Sequence, residues 1–159
     1  IYLGSFSSTL FAAVKISYMV LPEKMAELFS SMAQDYSQTC SKLEQLTLAI
    51  FMETGYYQTH IKKLRKLYSQ KLSAVLDVFA SKDSGLVKAI NTSSGINVML
   101  KIRDDLDINK LKKEADDLGL PMIALDKNIM LFSYNQIPLT QIPDLLNKLL
   151  NAWSACASS

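Results

Sequence analysis

Several things are scarce in this chain, and each scarcity removes a class of function. Among its 159 residues there are two cysteines, Cys40 and Cys156, too far apart for any metal or redox spacing. They read as reduced thiols of a cytoplasmic protein. No apolar run approaches the roughly 18 residues of a membrane span. The formal charge is only +2, so no global field favours nucleic acid or membrane. His60 is the single histidine, and Arg65 and Arg103 are the only arginines. The start, Ile1-Tyr2-Leu3-Gly4, carries no initiator methionine, basic n-region or cleavage signal. It reads as a chain cut from something longer. What remains is ample for a globular fold, with 49% hydrophobic and 20% charged residues.

Hydrophobic periodicity predicts the elements. Ile1 to Phe6 and Ile16 to Leu21 read as short strands. Pro22-Glu23 suits a helix start, after which Met25, Leu28, Phe29 and Met32 fall at helical spacing. A polar stretch from Gln34 to Thr39 follows. Ser41 to Glu53 reads as a second helix closed by Gly55. Tyr56 to Ala80 is the longest periodic stretch, with Leu64, Leu67, Tyr68, Leu72, Val75 and Phe79 as its apolar stripe. Lys62, Lys63, Arg65, Lys66 and Lys71 are assigned to its solvated side. Ser81 to Gly85 is a turn. Beyond it, strand Ile96–Ile102, helix Ile108–Leu118, strands Pro121–Leu125 and Ile129–Phe132, and helix Leu139–Trp153, irregular at Pro143, predict a small α/β sandwich with helices on one face.

Two motifs carry the functional reading. The opening, Tyr2-Leu3-Gly4-Ser5-Phe6-Ser7-Ser8-Thr9-Leu10 with Lys15-Ile16-Ser17-Tyr18, resembles the segment of fold-type I pyridoxal-phosphate (PLP) proteins that reads aromatic-x-G-[ST]-F-S-K-[ST]-L and then P-x-x-R-x-G-Y. The second is Glu44-Gln45-x-x-Leu48-Ala49-x-Phe51-x-x-x-Gly55, followed by Tyr57-x-x-His60-Ile61-x-x-x-Arg65-x-x-Tyr68. It is similar to the MocR/GabR regulators, which fuse a winged helix-turn-helix domain to a transaminase-like effector domain. Aminoadipate-type aminotransferases share the H-I-x-x-L-R-x-L-Y part.

The resemblance covers essentially the whole chain and implies an α/β fold, the C-terminal part of a fold-type I PLP-transferase. On that basis residues 1–55 are the end of the large PLP-binding domain, and residues 56–159 are a long helix plus the small domain. It further implies a homodimer or other self-association, an amino-acid or PLP-type effector, and DNA contact through an upstream domain.

The departures matter as much as the matches. Ser8 stands where the family has its Schiff-base lysine, Lys15 where it has arginine, and Ala12 where it has proline. A hydroxyl forms no imine and is no base near neutral pH, so the usual route of transamination is closed with Ser8 in place. No residue is assigned a catalytic or metal-binding role. Ser5, Ser7, Ser8 and Lys15 are the candidate cofactor contacts, with Lys15 offering a point charge rather than a guanidinium fork. A plain serine-rich turn with Lys15 in solvent is the competing reading. The late strand region Asn128–Phe132 has no arginine to hold an α-carboxylate. His60 reads as a capping or packing residue.

Three functions follow from this. The first is the effector-binding and oligomerisation part of a PLP-responsive regulator, whose detached form binds PLP weakly or not at all. The second is the C-terminal region of a class I/II aminotransferase inactivated at Ser8. The third is a cofactor-free interaction module.

Overall fold

The computed structural model describes residues 1–7, 9–10, 14–33, 39–82, 85–92 and 95–157. The chain divides into two compact units, residues 1–63 and 64–159. Position 8 and most of the polar stretch after α1 lie outside the described residues.

In the first unit, β1 (Tyr2–Ser5) and β2 (Ser17–Val20) form an antiparallel hairpin that pairs Tyr2 with Val20, Gly4 with Tyr18 and Ser5 with Ser17. Both strands are one residue shorter at each end than the apolar runs predict. Helix α1 (Glu23–Met32) follows Pro22, as the proline-acid start requires. Helix α2 (Lys42–Glu53) ends at Thr54 and Gly55, whose φ of +78° is the left-handed conformation glycine adopts at no steric cost. Neither helix buries a single residue fully.

Helix α3 (Tyr56–Ser81) is continuous across 26 residues and enters the second unit. There a four-stranded antiparallel sheet has the order β3 (Val87–Ile90), β4 (Asn97–Ile102), β6 (Ile129–Ser133), β5 (Met122–Asp126). Side chains alternate across its strands. Val98, Leu100, Ile102, Met122, Met130 and Phe132 turn into the core. There they meet Val75 and Phe79 of α3, Leu111 and Ala115 of α4 (Ile108–Asp117), and Leu146, Leu149 and Trp153 of α5 (Ile142–Ala157). The expected α/β layer with helices on one face is therefore present. Burying a large side chain of this kind contributes about 1.5–3 kcal/mol, and Trp153 also satisfies its indole N–H on the Leu111 carbonyl at 2.9 Å.

Three expectations are corrected. Strand β3 was not anticipated. It is a four-residue edge strand, Val87-Lys88-Ala89-Ile90, too short for a period to show. Pro143 causes no irregularity; it falls in the first turn of α5, where its missing N–H costs nothing, after a short 3₁₀ turn at Leu139–Gln141. Lys71 is not solvated. It is buried in line with Tyr68 and Val75, and its stem runs along the apolar stripe until Nζ donates to the Asn135 carbonyl at 2.8 Å.

Candidate functional site

The hairpin fixes the candidate cofactor contacts by its register. Ser5 is the last rung, opposite Ser17, and the Phe6 N–H extends the ladder by donating to the Ile16 carbonyl at 3.0 Å. Beyond this rung the Ser7 N–H donates to Ser5 Oγ at 3.3 Å, and Ser7 Oγ donates to the Val14 carbonyl at 2.5 Å. The chain then curls, with the amides of Thr9 and Leu10 both donating to the Phe6 carbonyl. Ser5, Ser7 and Lys15 are thus brought to one end of the hairpin, where Ser5 and Lys15 are exposed. The cofactor position assigned to Ser8 lies outside the described residues.

This end has a defined chemical capacity. Ser5 Oγ accepts from the Ser7 N–H, and its own proton has no protein acceptor among the described residues. The Ser7 proton is taken by Val14 and leaves only lone pairs. Lys15 makes no ion pair among the described residues. One free hydroxyl donor and one free ammonium suit a phosphate group.

Aromatic rings support the hairpin from one side. The Phe6 ring lies 5.3 Å from Tyr18 and 5.9 Å from Tyr57, and Tyr57 stands edge-on to Phe51 at 6.2 Å. Tyr18 also lies 6.0 Å from Tyr2. Its side-chain hydrogen bond with Tyr2, and then desolvation, push its phenol above the ordinary tyrosine value. The Tyr18 ring passes so close to Gly4 that a Cβ there would sit 2.3 Å from its Cζ. Beside the hairpin end, Leu10, Val14, Ile16, Leu43, Leu48 and Phe51 line an apolar cavity of about 500 Å³.

His60 is a residue whose role the sequence did not reveal. Its Nε2 lies 2.9 Å from the Thr9 carbonyl, which ties the start of α3 to the segment after Ser7. The motif match singled out His60, but helical spacing cannot say which backbone atom it reaches.

The strand region without an arginine is flanked by two lysines, Lys101 in register with Ile129 and Lys127 in the turn before β6. On β6, Met130 and Phe132 are core, whereas Leu131 lies on the opposite face in register with Met99 and Ile123. Arg103 pairs with Asp105 at 2.5 Å, and Arg65 is an exposed residue of α3. Among the described residues no group of acids, histidines or cysteines is arranged to hold a metal ion, and no helix is long and apolar enough to cross a membrane.

Comparison with known proteins places this geometry in a class. The chain is homologous to the MocR-type helix-turn-helix transcriptional regulators, and its fold is the C-terminal portion of the fold-type I PLP aminotransferases. Among the relatives it resembles, the HTH-type transcriptional regulator YhdI of Bacillus subtilis is 29% identical over 167 residues, covering 100% of this chain and 36% of that protein. YdeL of the same organism is 31% identical over 145 residues, covering 91% of the chain and 30% of its own length. The probable rhizopine catabolism regulatory protein MocR of Rhizobium meliloti is 23% identical over 167 residues, covering 100% of the chain and 34% of that protein. The chain therefore spans about a third of the curated relatives it matches.

Among solved structures, the α-aminoadipate aminotransferase LysN of Thermus thermophilus superposes with a TM-score of 0.76 at 19% identity, over 99% of this chain and 42% of that one. The Pyrococcus horikoshii kynurenine aminotransferase gives 0.77 at 21% identity, over 97% and 40%. No protein-family model matches the chain.

Proposed function

We propose that this chain is the effector-binding and self-associating part of a PLP-responsive bacterial transcription regulator with an aminotransferase-like domain. The observation that carries the reading is its similarity, from end to end, to helix-turn-helix regulators; the serine at position 8 agrees with it if that is the place of the family's lysine. In this reading residues 1–55 close the large domain and residues 56–159 form the linking helix and small domain. DNA is read by an upstream element, and the protein works in the cytoplasm as a homodimer or larger assembly.

PLP would be held through its phosphate by Ser5 and Lys15, with Ser8 as a further hydroxyl and with Ser7 joining only if its hydroxyl turns away from the Val14 carbonyl. When bound, PLP supplies an electrophilic aldehyde, and this chain offers no amine at position 8 to engage it. The chain's own residues bind and orient; they do not transfer a proton. Leu131, Met99 and Ile123 form an apolar row where a carboxylate clamp was sought, which argues against an ordinary α-amino acid as effector.

A second reading is supported by the solved neighbours, which are aminotransferases: the C-terminal region of such an enzyme, silenced at position 8. The test is Ser8→Lys in the intact gene product. A new visible PLP absorbance without turnover of amino and keto acids supports the regulator. Turnover supports the enzyme. No PLP binding by either form, at millimolar cofactor, overturns both in favour of a cofactor-free interaction module.

A further inference from the structure

We propose that Lys62, Lys63, Arg65 and Lys66 of α3 form a sequence-independent contact surface for the phosphate backbone of duplex DNA. The inference deepens the regulator reading and rests on it. It adds a DNA contact within this chain to the one expected from an upstream element.

All four side chains are exposed, and among the described residues none takes part in an ion pair or hydrogen bond. Their spacing is set by a single continuous helix, α3. At about 100° and 1.5 Å per residue, Lys62 and Lys66 share one line while Lys63 and Arg65 flank it. The cations fan across roughly half the helix circumference along about 6 Å of its length. A similar length of duplex carries three to four phosphate charges, at about one per 1.7 Å. The first acid along α3 is Asp77, about three turns beyond Lys66, so nothing on this helix neutralises the patch locally.

Burial of Lys71 sharpens the patch. The basic run of the sequence extends to position 71, but Lys71 turns inward to the Asn135 carbonyl and leaves the surface. The cationic surface is therefore confined to residues 62–66.

The surroundings favour phosphate over other anionic partners. The neighbouring exposed positions are mostly uncharged hydrogen-bonding residues, Gln58, Thr59, Ser69, Gln70 and Ser73, with Leu67 alone adding an apolar side chain at 38% exposure beside Lys66. Phosphate contacts in DNA complexes are made by this mixture of cations and small polar groups. A protein interface would need a buried aromatic or aliphatic anchor at its centre. A membrane surface would need an apolar face beside the lysines. The apolar residues further along α3, Val75, Val78 and Phe79, are instead committed to the core.

The test is fluorescence anisotropy of the 159-residue chain with a labelled duplex that contains no operator, over a range of salt. Binding is expected to weaken about a hundredfold between 50 and 200 mM salt, since each phosphate contact adds about 0.9 to the logarithmic slope. The variant carrying Lys62→Gln, Lys63→Gln, Arg65→Gln and Lys66→Gln keeps good helix formers. It should retain its circular dichroism, flatten the slope by about three, and lose at least about tenfold in affinity at 50 mM salt. Lys110→Gln with Lys113→Gln, on exposed α4 positions, should leave both quantities unchanged.

An unchanged slope in the quadruple variant overturns the proposal. So does wild-type binding to polyglutamate or anionic vesicles with none to duplex. Because the duplex carries no operator, the result is independent of specific recognition. Failure of the regulator reading would show separately, as an intact gene product that selects no sequence from a random duplex library.

Discussion

His60 and Thr9, 51 positions apart, meet at 2.9 Å through the imidazole Nε2 and a backbone carbonyl. The bond is partly buried and fixes where the segment after Ser7 lies against the first turns of α3. Replacing His60 by Phe keeps a ring and removes the donor. The expected loss is about 1 kcal/mol, read from urea denaturation, together with faster hydrogen exchange at Leu10. Glutamine at the same position, which keeps an N–H, should restore part of it.

Lys71 is the buried cation of the second unit, bonded to the Asn135 carbonyl and 5.8 Å from the centre of the Tyr68 ring. Lys71→Ala removes both the stem and the donor, and leaves the Asn135 carbonyl to find water. A destabilisation of about 2 kcal/mol is expected, whereas Lys66→Ala on the exposed side should stay within about 0.5 kcal/mol. Equal urea midpoints for the two variants would contradict the buried role.

Tyr134 has its ring in the core, and its hydroxyl donates to the Gly95 carbonyl at 2.6 Å. Burial, followed by repulsion from Tyr68, raises its phenol above the ordinary value of about 10. A raised acid is neutral in the folded state where the unfolded chain would ionise. Its contribution is complete below the unfolded value and is lost as pH climbs from there through the folded one. Stability should therefore fall on the alkaline side of pH 10. Tyr134→Phe should flatten that limb while costing about 1 kcal/mol at neutral pH. Thermal melts across alkaline buffers decide it.

Apolar side chains stand uncovered in the first unit, with Leu43 74% exposed, Leu3 71% and Leu28 62%. Patches of this kind mark surfaces that associate. Light scattering should show concentration-dependent mass growth, and Leu43→Glu with Leu46→Glu should reduce it. A monomer at every concentration would refute this expectation.

Much of this was legible beforehand. The 3.6-residue period exposed α3 because apolar residues recur along its full length, and Gly55 and Gly119 marked helix ends that the left-handed backbone confirms. The motif in the opening segment named Ser5, Ser7 and Lys15, and the hairpin brings these three to one end. What escaped depends on contacts between distant residues. Strand β3 exists because β4 offers it an edge, and four residues carry no period of their own. Lys71 broke the composition rule because a carbonyl 64 residues away was within reach of its ammonium. The His60 contact is of the same kind.

The close approach of Tyr18 to Gly4 makes a missing side chain into the setting device of the hairpin. Strand pairing in a short, exposed ribbon is weakly specified by hydrophobicity, so something else must select one alignment. Sliding β2 by two residues in either direction would set the Tyr18 ring opposite Tyr2 or Phe6, each of which carries a ring of its own where Gly4 has none. The same slide would take Lys15 out of its place across the ladder from Ser7. Hydrogen thus serves as a keyhole at position 4, and any bulkier atom there would require the Tyr18 ring to swing off the strand it now covers.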